Sequence, residues 1–471
     1  MKTYPIYIAG TPVFTAHTLD VYNPWDQSKI AQTHIATAAH AKDAVQAAIK
    51  GFEFSRAMPA YARAAALTHI EKGLGDRKEE IAQIICAEAG KPIQYARAEV
   101  DRAMQTFKLA AAWVWQNQGE VLDLSHSPGL ENKMGIVQYF PAGPCLLISP
   151  FNFPLNLVAH KIAPAIAVGN SFVLKPASAT PITAAILAEI IADSGYPNQA
   201  WSVIPCDRTV GQQLVQDPGF QILSFTGSPE VGWKMKADAG KKKVILELGG
   251  DAAVIIDETA DLKTAIPKIL YGAFAYAGQI CISVQRIIAT QEIYNEVKEQ
   301  LIEAIANLPC GNPALPETIC GPLIDRNNAD RTLSWIEEAK QKGAQLLTGG
   351  MDMGNLVISP AILENIPKGV QLRDKEAFAP VVGLYKAETF EHAVQLANDS
   401  DFGLQTGVFT RYEDRLKYAF QQLHVGGVIH NHVPTLRIDA MPYGGIKDSG
   451  LGREGIAWAC RDMAEPKVLV W

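Results

Sequence analysis

Between Pro144 and Gly250 the sequence alternates short apolar runs with helical stretches, and this alternation leaves the chain very few architectures. "PCLLISP" precedes a helical pattern, "SFVLKP" precedes "PITAAILAEIIADSG", and "WSVIP" precedes "TVGQQLVQD". "QILSFTG" precedes "SPEVGWKMKADAG", and "KVILELGG" follows. Strands separated by helices pair through crossovers rather than hairpins, which predicts a mostly parallel sheet with helices on both faces, an α/β fold. A second alternating series runs from "DAAVIID" to "GVIHN". Helical patterns dominate the first hundred residues, as "HAKDAVQAAIKGFEF", "PAYARAAALTHIEKGL" and "RKEEIAQIICAEAG", each closing near a glycine. "GEVLDL" and "GIVQYFP" read as strands around a polar loop. The final "KVLVW" is a strand pattern apolar enough to require a pairing partner.

The 471 residues suffice for two or three domains at about 150 residues each. With 48% apolar and 19% charged residues, disorder is excluded. A net charge of −7 argues against nucleic acid or an acidic membrane as partner, and Lys241, Lys242 and Lys243 read as a solvated turn. The seven scattered cysteines contain no C-x-x-C pair and no zinc-ligand spacing. We therefore expect no metal and a reducing, cytoplasmic setting. The start "MKTYPIYIAGTPVF" lacks the continuous apolar run of a secretory signal. The most apolar segment, Cys145 to Gly169, carries His160 and Lys161 and is broken by Pro150, Pro154 and Pro164. It reads as a buried strand, loop and helix rather than a membrane span.

Such a sheet often binds a dinucleotide at the carboxyl ends of its strands, but no well-placed G-x-G-x-x-G is present. "FTGSPEVG" offers another route. Pro229 suits a first helical position, and the free N–H groups of that helix start can receive a phosphate. Ordinary helix capping would produce the same pattern. Lys175 closes "SFVLK" where it can reach a ribose or phosphate, or simply solvent. Taken alone, Cys281 in "AYAGQICISVQR" reads as core filler.

Six motifs in order change that reading. They are "SPFNFPLNL" with Asn152, "KPA" with Lys175, and Gly227 to Gly232. "LELGGD" with Glu247 comes next, then "GQICIS" with Cys281 34 residues on, and "EAFAPVV" with Glu376 and Phe378. With them, and with "MPYGGIKDSGLGREG" (Met441 to Gly455), the sequence resembles the NAD(P)-dependent aldehyde dehydrogenase superfamily over nearly its whole length. The resemblance implies a Rossmann-like cofactor domain (1–118 and 142–248), an α/β catalytic domain (249–447) and a small β oligomerisation element (119–141 and 456–471). It makes Cys281 the nucleophile, forming a thiohemiacetal and then a thioester. Asn152 is the oxyanion donor and Glu247 the base for hydrolysis. Read without the resemblance, Asn152 is a turn former and Glu247 a helix cap. The implied cofactor residues are Ile148, Ser149, Pro150, Phe151, Lys175, Ser178, Gly211, Phe225, Thr226, Gly227, Ser228, Val231, Leu248, Gly249, Glu376 and Phe378. Lys175 and Glu376 would hold the riboses. A homodimer or homotetramer is implied, with "KVLVW" extending a neighbour's sheet.

Two departures matter. Strictly NAD-using relatives often carry glutamate where Ser178 stands, and a neutral hydroxyl removes that repulsion of a 2′-phosphate, so NADP is expected to be favoured over NAD. Relatives that take phosphorylated aldehydes often place arginine where Ile280 stands. The sequence thus resembles the branch of lactaldehyde, succinate-semialdehyde and non-phosphorylating glyceraldehyde-3-phosphate dehydrogenases, and a small polar aldehyde is expected. Ile280 and Ile282 would shape its pocket. Arg102 and Arg437 are candidate anion binders, with structural ion pairing as the alternative. A CoA-acylating relative would commonly lack Glu247, and a non-catalytic structural member would tend to lose a catalytic residue.

Overall fold

The computed structural model describes residues 2–116 and 119–471. The first sheet has eight strands in the order Gly450–Leu451, Lys243–Glu247, Ile222–Thr226, Cys145–Ile148, Phe172–Lys175, Trp201–Val203, Ile6–Ile8 and Thr11–Val13. Its five middle strands are parallel, and the additions at both edges are antiparallel. Strand order reverses between Cys145–Ile148 and Ile222–Thr226. At such a switch point neighbouring strands feed helices on opposite faces and leave a crevice at their carboxyl ends.

The helix Asn156–Val168 is buried along its whole length, as its near-uniform apolarity demands. Its three polar members, Asn156, His160 and Lys161, find partners inside the protein, and Asn156 Oδ1 accepts from the Thr106 hydroxyl at 3.3 Å. His160 Nε2 lies 2.8 Å from Asp439 Oδ1, and Lys161 Nζ donates to Ser224 Oγ at 3.0 Å. Among the described residues no helix is long and apolar enough to cross a membrane.

The second sheet has seven strands: Gln345–Thr348, Ala361–Glu364, Val381–Ala387, Val284–Thr290, Ala252–Ile256, Gln405–Phe409 and Gly427–His430. All its pairings but the first are parallel. A separate antiparallel ribbon joins Glu120–Asp123, Met134–Pro141 and Ala464–Val470. On it Val121, Val468, Leu469, Val470 and Trp471 are each at least half exposed.

Several features differ from the sequence expectations. The N-terminal region contributes five strands, three of them (Thr3–Tyr4, Thr18–Tyr22 and Lys29–His34) in a small sheet of their own. They are too short to show a clear period. Only the third early helix ends on a glycine, the left-handed Gly90. The second, Ala60–Asp76, closes one residue past Gly75 as expected, whereas the first, Ala38–Ala57, runs six residues beyond Gly51 and stops ahead of Pro59. The helix Ile456–Asp462, grouped from the sequence with the ribbon, instead buries Ile456 and Cys460 in the first core beside the helix Asn156–Val168.

Candidate functional site

Cys281 follows the helix Leu262–Phe274 in a turn where Tyr276, Ala277 and Gly278 have φ of 53°, 54° and 68°. Non-glycine residues hold such backbone only where neighbours over-determine it. Here Tyr276 donates from its N–H to Ile319 O and from its hydroxyl to Ala89 O. Gln279 donates to Pro322 O and accepts from the Ile324 N–H. A Cβ on Gly278 would stand 2.4 Å from the Ala379 carbonyl oxygen. A Cβ on Gly250 would stand 2.3 Å from the carbonyl oxygen of Cys281 itself. The second glycine of "LELGGD" thus lets that strand end pass directly against the Cys281 turn.

Cys281 lines two cavities. The first is a groove of about 640 Å³ at the carboxyl ends of the first sheet. All sixteen residues expected at the cofactor line it, from Ile148 to Phe378. Lys175 ends its strand there, and Pro229 opens the helix Pro229–Asp238 beside Ser228. Phe151 and Phe378 meet edge to face at 6.0 Å. Glu376 Oε1 accepts from the Gly250 N–H at 3.0 Å, and burial pushes its carboxyl up to about 8. Arg208, Lys234 and Arg331 also line the groove and were not found from the sequence, since isolated surface cations carry no pattern.

The second cavity, about 100 Å³, is lined by Arg102, Ile280, Ile282 and Arg437, all four residues expected at the substrate. The structure gives each arginine an ion pair as well as a place on the wall. Arg102 forks onto Asp439 at 2.7 and 3.2 Å, and Arg437 Nη2 lies 2.8 Å from Glu454 Oε2. The buried Lys91–Glu99 pair joins this wall, with the Lys91 ammonium 3.6 Å from the Phe153 ring centroid.

The Asn152 amide donates to Gln279 O at 2.9 Å, which ties it to the Cys281 turn and leaves its second N–H without a partner among the described residues. Asn152 therefore bridges two loops rather than closing a turn of its own. Glu247 ends the strand Lys243–Glu247 and caps no helix. It lies outside both cavity linings, and neither carboxylate oxygen has a partner among the described residues. Its carboxyl is raised well above the usual range, first by burial and then by Glu454, against Arg437, Lys161 and Arg453. Burial and the charged groups around it together set its proton affinity. Glu454 is buried too, yet Lys161 and Arg437 hold it low. Burial pushes the Cys281 thiol up to about 12, opposed by the Tyr443 hydroxyl 2.9 Å away. Tyr443 and Glu454 stand in the recognised segment Met441 to Gly455, but spacing alone does not assign them individual tasks.

The groove suits a dinucleotide on its own chemistry. Ser149 Oγ and Thr226 Oγ1 are buried at its strand ends without a partner among the described residues, and buried hydroxyls require one. The N-terminus of Pro229–Asp238 presents free N–H groups. Among the described residues no cluster of histidine, cysteine and carboxylates could hold a metal ion.

Residues 14–469 match the aldehyde dehydrogenase family. The chain belongs to that family. It is an NAD(P)-dependent oxidoreductase that acts on aldehydes. It is 37% identical over 471 residues to 3-sulfolactaldehyde dehydrogenase of Priestia aryabhattai, an alignment spanning 100% of this chain and 98% of that one. Among solved structures it resembles aldehyde dehydrogenase 21 of Physcomitrella patens in complex with the reaction product succinate. The two share 44% identity with a TM-score of 0.98, over 100% of this chain and 98% of the other. Glyceraldehyde-3-phosphate dehydrogenase of Methanocaldococcus jannaschii, complexed with NADP, aligns at 36% identity and TM-score 0.92, covering 96% and 98% of the two chains.

Proposed function

We propose that this enzyme oxidises a short aldehyde bearing an anionic group to the carboxylic acid, with NADP preferred over NAD. The observation that carries the reading is that Cys281 lines both cavities, so one sulfur faces the cofactor groove and the substrate pocket together. Cys281, as thiolate, attacks the aldehyde carbon and forms a thiohemiacetal. The free Asn152 N–H and the Cys281 backbone N–H stabilise the oxyanion. A dinucleotide held in the groove by Lys175, Glu376 and the Thr226–Ser228 turn would supply the hydride acceptor for this carbon, leaving a thioester on Cys281. Glu247 then takes a proton from the water that attacks the Cys281 thioester, releasing the acid and restoring the thiol.

Three features support NADP. Ser178 is exposed on the groove wall, Arg208 and Lys234 add positive charge there, and the related Methanocaldococcus enzyme was solved with NADP. Charge around the small cavity supports an anionic substrate. Its lining carries the basic side chains Lys91, Arg102 and Arg437 against one carboxylate, Glu99, leaving a positive excess on the wall. The names of two relatives, acting on 3-sulfolactaldehyde and yielding succinate, agree with that sign. We also assign the first sheet to the cofactor, the second to catalysis and the exposed ribbon to subunit contact in a homodimer or homotetramer.

The test is a panel of succinate semialdehyde, 3-sulfolactaldehyde, lactaldehyde and glycolaldehyde, each with NAD and NADP and with or without CoA. Highest kcat/KM for an anionic aldehyde with NADP, and free acid as product, is expected. Preference for neutral aldehydes would refute the substrate class, a large preference for NAD would refute the cofactor choice, and acyl-CoA without free acid would refute hydrolysis.

A further inference from the structure

The segment after Arg437 places a second functional group on the nucleophile. Tyr443 and Glu454 face each other across a pair of backbone hydrogen bonds, Tyr443 N–H to Glu454 O at 3.0 Å and Glu454 N–H to Tyr443 O at 2.7 Å. This bridge sets the Tyr443 hydroxyl 2.9 Å from Cys281 Sγ, while Glu454 stands beside Glu247. Tyr443 is 3% exposed, and the Arg437 guanidinium covers its ring at 3.8 Å from the centroid. The apolar cluster against which Cys281 packs includes Ile280, Ile282 and Leu404, whose side chains offer a thiolate no hydrogen bond.

We propose that Tyr443 is a further catalytic residue, whose phenol donates a hydrogen bond to the Cys281 sulfur and stabilises the thiolate that attacks the aldehyde. The inference rests on the reading of Cys281 as nucleophile. Between a neutral thiol and a phenol either group can donate, but once the sulfur ionises only the phenol has a proton to give. Burial keeps that phenol protonated, so the donor persists when it is needed. The Arg437 cation over the ring draws electron density from it and strengthens the donor. Around the sulfur, Glu376 and Glu247 oppose ionisation, whereas Tyr443 and Arg437 favour it. Around the phenol stand Cys281, Arg437 and Glu247.

Tyr443→Phe removes one oxygen and keeps the ring. The readout is the pH dependence of Cys281 alkylation by iodoacetamide, compared with a Cys281→Ser background that identifies the labelled thiol. A hydrogen bond to a charged sulfur predicts that the midpoint rises by about one to two pH units, and that alkylation and kcat/KM at neutral pH fall about 10- to 100-fold. KM for NADP is expected to stay unchanged. Site-specific replacement of Tyr443 by 3-fluorotyrosine, a stronger donor of nearly the same shape, is expected to lower the midpoint. It also decides the matter if the phenylalanine variant does not fold. An unmoved midpoint in Tyr443→Phe, or a raised one with fluorotyrosine, would overturn the role of Tyr443. Full turnover by Cys281→Ser would instead overturn the nucleophile reading beneath it.

Discussion

Glu247→Gln separates the two halves of the reaction. The substitution preserves shape and removes the proposed base, while Cys281, Asn152 and the groove stay untouched. A positioned general base contributes about 10²- to 10⁴-fold, and that loss falls on thioester hydrolysis alone. Rapid mixing of the variant with aldehyde and NADP is therefore expected to give a burst of NADPH equal to the number of active sites, followed by turnover slowed by about that factor. Above the Glu247 pKa the parent enzyme hydrolyses fastest, and its rate falls as the carboxylate gains its proton, a limb the variant lacks. The same substitution has a thermodynamic signature. Burial first, and Glu454 second, raise the Glu247 pKa in the folded chain. Between the unfolded carboxyl value and the folded one, the native protein holds a proton that the unfolded chain has lost. Stability therefore falls with rising pH across that window, by about 1.4 kcal/mol per pH unit. An amide does not titrate, so Glu247→Gln is expected to gain stability relative to the parent above the window and none below it. Undiminished steady-state turnover without a burst would refute the assignment of Glu247 as base, and parallel stability–pH curves would refute the raised carboxyl.

Other perturbations probe the remaining assignments. Ser178→Glu places a negative charge on the groove wall. It is expected to lower kcat/KM with NADP at least about tenfold while sparing NAD, because a 2′-phosphate then meets a like charge. Arg102→Gln removes a partly exposed cation from the small cavity, and KM for anionic aldehydes is expected to rise about tenfold with neutral aldehydes little affected. Equal loss on both substrate types would show that Arg102 serves only to pair Asp439. Deleting 467–471 strips the apolar end of the ribbon, and light scattering is expected to show a smaller particle than the intact chain.

Much of the site was legible in the chain because it is built from local motifs at element ends. Lys175, the Thr226–Ser228 turn, Glu247 and the Cys281 turn each sit where a strand or helix stops, and the stops are written in proline and glycine. The parallel sheet was legible because its central strands, such as Cys145–Ile148, are buried on both faces and read as unbroken apolar runs. Short strands at the N-terminus were not, because pairing rather than periodicity makes Ile6–Ile8 and Thr11–Val13 strands.

The sequence by itself determined which groups the proposed chemistry can draw on, a cysteine, an amide and a glutamate in recognisable motifs. Tertiary structure alone decided their electrostatics. Glu454 lies more than two hundred residues from Glu247 along the chain, yet it helps set that group's proton affinity, as do Lys161 and Arg437. Tyr443 reaches the Cys281 sulfur across a separation of 162 residues. Proton affinities depend on burial and on charges a few ångströms away, and only the folded chain sets those distances.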